Sequence, residues 1–146
     1  MAKRTSKKRE KLPEIIERYL QVLEQKVPRS DWPAVFRSDV KVNAGRGTVL
    51  EGAHAVVQAI EEWHASVTGI TISMIRMIDY MEESSDGTGR RTVKVDFKVR
   101  GMWVNPAAPG EVPVQIPVIA MYEIRDEAID EIMELWPRGQ LPPTPW

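Results

Sequence analysis

At Thr68 the periodicity of this chain changes, and that change constrains the fold more than any other feature. From there on, β-branched and other apolar residues recur at every second position. In "RTVKVDFKVRG", Arg91 to Gly101, Val93, Val95, Phe97 and Val99 share one face, while Lys94, Asp96, Lys98 and Arg100 share the other. Such alternation is the mark of a half-buried antiparallel strand with its charges in water. Four long strands are predicted: "GITISMIRMIDYMEE", "RRTVKVDFKVRGMWV", "PVQIPVIAMYEIRD" and "AIDEIMELW". "SSDGTG" predicts a hairpin turn centred on Asp86-Gly87, the proline-rich "NPAAPGEVP" joins the second pair, and the last pair turns tightly around Asp126-Glu127.

Before Thr68 the period is that of a helix. Pro13 suits the first turn of a helix, and Ile15, Ile16, Tyr19, Leu20 and Leu23 then recur at helical spacing, with Tyr19 on the buried face. "SDWPAVF" predicts a short second helix capped by Ser30 or Asp31, and "DVKVNAG" a short strand closed by glycines. A third helix starts just after Gly52, carrying Val56, Ile60, Trp63 and Val67 at a 3.6-residue period. Helices first and a meander afterwards make an α+β domain, with N-terminal helices packed on one face of a strongly curved, mainly antiparallel sheet.

A chain of 146 residues has the size of one domain. Residues 1–11 predict a disordered basic tail, residues 12–136 the domain and residues 137–146 an extended proline-rich tail. The basic tail carries six Lys/Arg against one Glu, so the remainder must hold −6 for the whole to reach −1. It has no interleaved aromatics, which argues against a nucleic-acid partner. No apolar run approaches the length of a membrane span or a secretory signal, so a cytoplasmic location is expected. The absence of cysteine excludes disulfides, thiolate metal sites and a cysteine nucleophile. His54 and His64 stand ten apart, unlike the i, i+4 pair of a zinc helix, and neither a metal nor a cofactor is expected. His64 is expected at the surface.

"VPVQIPVIAMYEI" is apolar on both sides, with Ile116, Val118, Ala120 and Tyr122 on one and Ile119 and Met121 on the other. Two apolar faces in a one-domain protein imply a partner. A homodimer through the back of the sheet is expected, using Ile119 and Met121 with Met133 and Leu135 of the next strand.

The element order, together with "RYLQVL", "FRSDVKV", "EGAHAVVQAIEEW", "IPVIAMYEIRD" and "AIDEIMELW", resembles the cone-shaped α+β fold of SnoaL-like polyketide cyclases, ketosteroid isomerases and limonene epoxide hydrolases. The resemblance spans roughly Leu12 to Trp136. In the epoxide hydrolases an Arg-x-Asp on a central strand and an Asp on the last strand form the site. Here those places hold Lys94, Asp96 and Glu134, with Ile132 where that family has a Trp. The overlay implies that Lys94 and Asp96 turn into the pocket, against simple alternation, and that Trp63, Ile116 and Val118 form its apolar walls. The family's water-holding Tyr and Asn fall near Val42 and Ala44, with Asn43 one residue out of register, able to serve only through a bulge.

The ketosteroid isomerases place their oxyanion-hole tyrosine at Tyr19, but their base and second donor would fall near Ala44 and Ile119, which move no proton. The polyketide cyclases place their acid/base carboxylate near Glu134. The resemblance therefore implies an enzyme acting on a small apolar molecule: epoxide opening by Asp96 and Glu134 with Lys94 balancing charge, or cyclisation or isomerisation with Glu134 as acid/base. Ile132 and Trp136 beside Glu134 would desolvate it and raise its pKa. Each candidate also has a plainer reading: Glu134 as a rim carboxylate, Asp96 on a wet face, Tyr19 as a core tyrosine. Under those readings the chain is a ligand-binding or dimerisation module.

Overall fold

The computed structural model describes residues 4–5, 12–45, 47–81, 90–104, 110–137 and 143–146. The first helix, α1 (Glu14–Leu23), starts behind Pro13, whose carbonyl accepts the Ile16 and Glu17 amides at 3.0 and 3.1 Å. Glu14 and Glu17 lie in its first turn, where negative charge meets the positive end of the helix dipole. It stops in a left-handed residue, Gln25 (φ 60°), with the Lys26 amide returning to the Gln21 carbonyl at 2.8 Å. The second helical segment, Arg29–Val35, is 3-10 in form and buries Trp32, whose indole N–H donates to the Val27 carbonyl at 2.8 Å. A further helix, α2 (Ala53–His64), buries Val56, Val57, Ile60, Trp63 and His64.

The strands are β1 (Arg4–Thr5), β2 (Phe36–Asn43), β3 (Thr48–Glu51), β4 (Val67–Met81), β5 (Arg91–Val104), β6 (Glu111–Arg125) and β7 (Ala128–Leu135). They form one curved, unclosed sheet in the order β1-β4-β5-β6-β7-β2-β3. All neighbours run antiparallel except β2 and β7, which are parallel, so the sheet is mixed. The α+β architecture expected from the change of period is the one observed.

Curvature comes from local irregularities. The β4–β5 register shifts between Thr68 and Thr71, where Gly69 has φ 61°, and extra residues on one strand bend it. Gly101 faces this bulge. A Cβ there would stand 2.9 Å from the Thr68 carbonyl oxygen and 3.0 Å from Val67, so only glycine admits the close crossing. The β6–β7 turn runs through Asp126 (φ 53°) and Glu127 (φ 59°), two left-handed residues in the sense that tight hairpins require.

The concave face carries Val93, Val95, Phe97 and Val99 of β5 and Ile116, Val118, Ala120, Tyr122 and Ile124 of β6, all buried under the helices. Several expectations differ in detail. β2 begins at Phe36, earlier than "DVKVNAG" implies, and β3 was not foreseen. Of the basic tail only Arg4–Thr5 are described, and they pair with Met81 and Tyr80 at the edge of the sheet. The Asp86-Gly87 turn lies outside the described residues. His64 is buried, not exposed: its Nε2–H donates to the Leu23 carbonyl at 2.8 Å, and its ring packs between Trp32 and Trp63. No described helix is long and apolar enough to cross a membrane.

Candidate active site

Alternation along β7 turns Ile132, Glu134 and Trp136 toward the helices, and Glu134 reaches the interior with no accessible surface. A carboxylate there needs donors, because an unpaired buried charge would cost several kcal/mol. Three neutral groups supply them. Tyr19, on the buried face of α1, donates its hydroxyl to Glu134 Oε2 at 2.7 Å. Tyr122, on the concave side of β6, donates to the same oxygen. Trp136, two residues along the same strand, donates its indole N–H to Oε1 at 2.9 Å.

The surrounding rings fix these donors. Tyr19 meets Tyr122 edge-on at 5.2 Å and Phe36 at 5.9 Å, and Trp136 meets Trp63 edge-on at 5.5 Å. Among the described residues no cation pairs with Glu134. Burial raises the Glu134 carboxyl above its ordinary value, and the hydrogen bonds from Tyr122, Tyr19 and Trp136 pull it partly back. Burial and the adjacent carboxylate push both tyrosines well above the ordinary phenol range, which keeps their hydroxyls as donors. Trp146 packs against the same core. Its Nε1–H adds to the groups that favour the charged form of Glu134.

The apolar candidates Trp63, Ile116, Val118, Ile132 and Trp136 all lie on the concave side with Glu134 and Tyr19. Lys94 and Asp96 do not, and the register says why. Val95 pairs with Ala120 and Ala120 with Glu134, whereas Asp96 pairs with Ile119 and Ile119 with Leu135. Adjacent rungs point to opposite faces of the sheet. Asp96 thus stands on the outer face, bound to Arg76 at 3.0 Å beside a groove of ≈ 370 Å³ that includes Phe97, Lys98, Pro117 and Ile119. Lys94 is exposed on that face. The plain alternation of β5 holds, and the inward turn implied by the resemblance does not occur.

Asn43 also departs from expectation. A register irregularity does follow Val42 in the pairing with β3, but Asn43 pairs with Met133, one rung from the buried Val42 and Ile132. Its Oδ1 accepts the Gly45 amide at 2.7 Å, so the side chain closes a turn instead of holding a water at Glu134.

Tyr122 is the site residue that sequence reasoning passed over, having counted it only as part of an apolar face. A phenol on a strand otherwise lined by aliphatics needs a partner for its hydroxyl, and Glu134 has the matching parity on the next strand. The described residues contain no group of three or more His, Asp or Glu arranged to hold a metal ion. What the cluster can do chemically is take up or release a proton in a water-poor setting, beside two hydroxyls able to donate to a developing negative charge.

No family model matches the sequence, and no curated protein does. Solved structures do. A candidate polyketide cyclase from Silicibacter sp. aligns with TM-score 0.65 at 13% identity, covering 85% of this chain and 87% of that one. A SnoaL-like candidate polyketide cyclase from Shewanella putrefaciens aligns with TM-score 0.62 at 13% identity over 86% and 81%. A Catenulispora acidiphila protein with a ketosteroid isomerase-like fold, in complex with trimethylamine, aligns with TM-score 0.60 at 16% identity over 85% of each chain. At these identities the likeness establishes the fold: the cone-shaped α+β architecture of SnoaL-like and ketosteroid isomerase-like proteins.

Proposed function

We propose that this protein is a cofactor-independent enzyme that moves protons on a small, mostly apolar carbonyl compound, as cyclases and isomerases do, with Glu134 as the acid/base group. One observation carries the reading: a fully buried carboxylate receives two phenol hydroxyls on one oxygen and an indole N–H on the other. In this scheme Glu134 takes the proton from the carbon next to the carbonyl, and the released electron pair moves onto the carbonyl oxygen. Tyr19 or Tyr122 turns its hydroxyl from Glu134 to that oxygen as the charge develops. This frees a lone pair on Oε2 and stabilises the enolate. Returning the proton at another carbon completes an isomerisation; attack of the enolate carbon on a second carbonyl, whose oxygen then takes the proton from Glu134, completes a cyclisation. The polyketide cyclases and the ketosteroid isomerase-like protein among the structural neighbours support this class.

Epoxide opening is the second reading. The pair needed to protonate the ring oxygen and activate water is split across the sheet, because Asp96 stands on the outer face. That leaves Glu134 to serve both roles with the tyrosines. An assay of the wild type and Glu134→Gln against enolisable ketones and cyclic epoxides decides between them. Ketone turnover falling at least ~100-fold in Glu134→Gln is expected, the usual scale of general acid–base catalysis. Turnover of epoxides alone would favour ring opening, and binding without turnover would make the protein a ligand carrier.

A further inference from the structure

On the outer face of β5 the charged row runs past Asp96 to Lys98 and Arg100. The row's one acid, Asp96, is already held by Arg76 at 3.0 Å. Among the described residues neither Lys98 nor Arg100 forms an ion pair or a side-chain hydrogen bond. The neighbouring rungs bring them no acid: Lys98 stands between Ser73 and Pro117, and Arg100 between Thr71 and Gln115. Lys98 is half-buried, and the Ser73 hydroxyl on its rung is buried without a partner. Beside Arg100 a groove of ≈ 440 Å³ runs over Gly69, Met102, Pro113 and Gln115. It stays open at Gly69, where an added Cβ would meet nothing within 4 Å. Two free cations, an unmet hydroxyl and an amide thus border one largely apolar groove.

We propose that this is a binding site for an amphiphilic organic anion: a carboxylate or phosphate head is taken by Lys98, Arg100 and Ser73, and an apolar body lies in the groove along Met102 and Pro113. Lys98 and Arg100 are two residues apart on one strand, so their backbones stand roughly 7 Å apart and both long side chains can reach one oxyanion. A half-buried ammonium is less screened than an exposed one, which makes a counter-ion at Lys98 worth more than at an open lysine. The Ser73 hydroxyl and the Gln115 amide add neutral donors. Head and body are both needed: a bare anion leaves the groove empty, and a neutral chain leaves the cations unmatched. The site lies across the sheet from Glu134 and does not depend on the reaction proposed there. It also lies beyond the end of β7, where Leu135 pairs with Ile119, the two residues that a second copy is expected to cover.

The test is calorimetric titration of the full chain with octanoate, octyl phosphate, 1-octanol and acetate. Octanoate or octyl phosphate is expected to bind at least ~10-fold more tightly than both 1-octanol, which lacks the charge, and acetate, which lacks the body. The tighter of the two identifies the head group. Replacing both cations, Lys98→Gln with Arg100→Gln, is expected to weaken that binding about ten-fold, the scale of two partly exposed charge pairs. The wild type supplies an arm that depends on no variant: in a 15N spectrum the backbone amides of Arg100, Met102 and Gln115 are expected to shift as octanoate or octyl phosphate is added, with the Trp136 indole N–H unmoved. Equal affinity in the double variant, octanol bound as tightly as octanoate and octyl phosphate, or shifts confined to Trp136 and Tyr122 would overturn the inference. So would Arg100 and Gln115 amides that move with protein concentration and not with either anion, since a second copy of the chain would then be what covers them.

Discussion

Replacing Tyr122 by Phe removes one of the two hydroxyls that donate to Glu134 Oε2. The phenol donates to Glu134 Oε2 inside a fully buried cluster, and the ring itself stays packed against Tyr19. A hydrogen bond to a charged group contributes about 1.5–3 kcal/mol, against about 0.5–1.5 kcal/mol for a neutral pair. At a pH where Glu134 is ionised, Tyr122→Phe should therefore cost about 1.5–3 kcal/mol. In a Glu134→Gln background the same change should cost only the neutral amount, giving a coupling energy on the order of 1–2 kcal/mol. Urea unfolding followed by tryptophan fluorescence measures this directly: with a slope of about 2 kcal/mol per molar, the midpoint should fall by roughly 1 M in the first case and by roughly half that in the second. Equal costs in both backgrounds, or a cost below about 0.5 kcal/mol in the wild type, would refute the claim that the tyrosine serves the carboxylate.

Gly101→Ala should destabilise the fold by about 1–3 kcal/mol, since its methyl would stand 2.9 Å from the Thr68 carbonyl; thermal melts check this. Burial lowers the His64 pKa from 6.5, so the folded state disfavours the charged ring, whose Nδ1 is buried without a partner. Its contribution is fully present above about 6.5 and is lost as pH falls toward the lowered value. Unfolding midpoints should therefore drop over that range in the wild type and less so in His64→Gln. Ile119 and Leu135 stand 58% and 47% exposed on the outer face, and a second copy of the chain is expected to cover them. Ile119→Lys should then leave the fold intact by circular dichroism and convert a dimer to a monomer in light scattering; a monomeric wild type at micromolar concentration would contradict this.

The layers of this fold were legible because two hydrophobic periods meet at one point, near Thr68. Val93 to Val99 and Ile116 to Tyr122 announce a sheet with one buried face, and Ile15 to Leu23 the helix that covers it. Bulges were not legible, because they follow from crowding between neighbouring strands, as at Gly101, and not from any local pattern. At the site, Glu134 and its apolar neighbours could be read from parity on the last strand, and Tyr19 from the helical period. Asp96 follows the alternation of its own strand and not the resemblance, because register enforces that alternation across the whole sheet. Tyr122 was hidden among aliphatics. Trp146 carried no periodic signal at all, since its place is set by a contact with Trp63 through Pro143, eighty residues apart in sequence.

The central claim is that proton chemistry occurs at Glu134 on the concave face and not at the charged outer face. Deuterium exchange at the acidic carbon of an enolisable ketone, followed by proton NMR in heavy water, tests it most directly in the wild type, Glu134→Gln and Asp96→Asn. The account predicts exchange that falls at least ~100-fold in Glu134→Gln and stays within about two-fold of wild type in Asp96→Asn. Exchange retained in Glu134→Gln, or lost in Asp96→Asn, would contradict it.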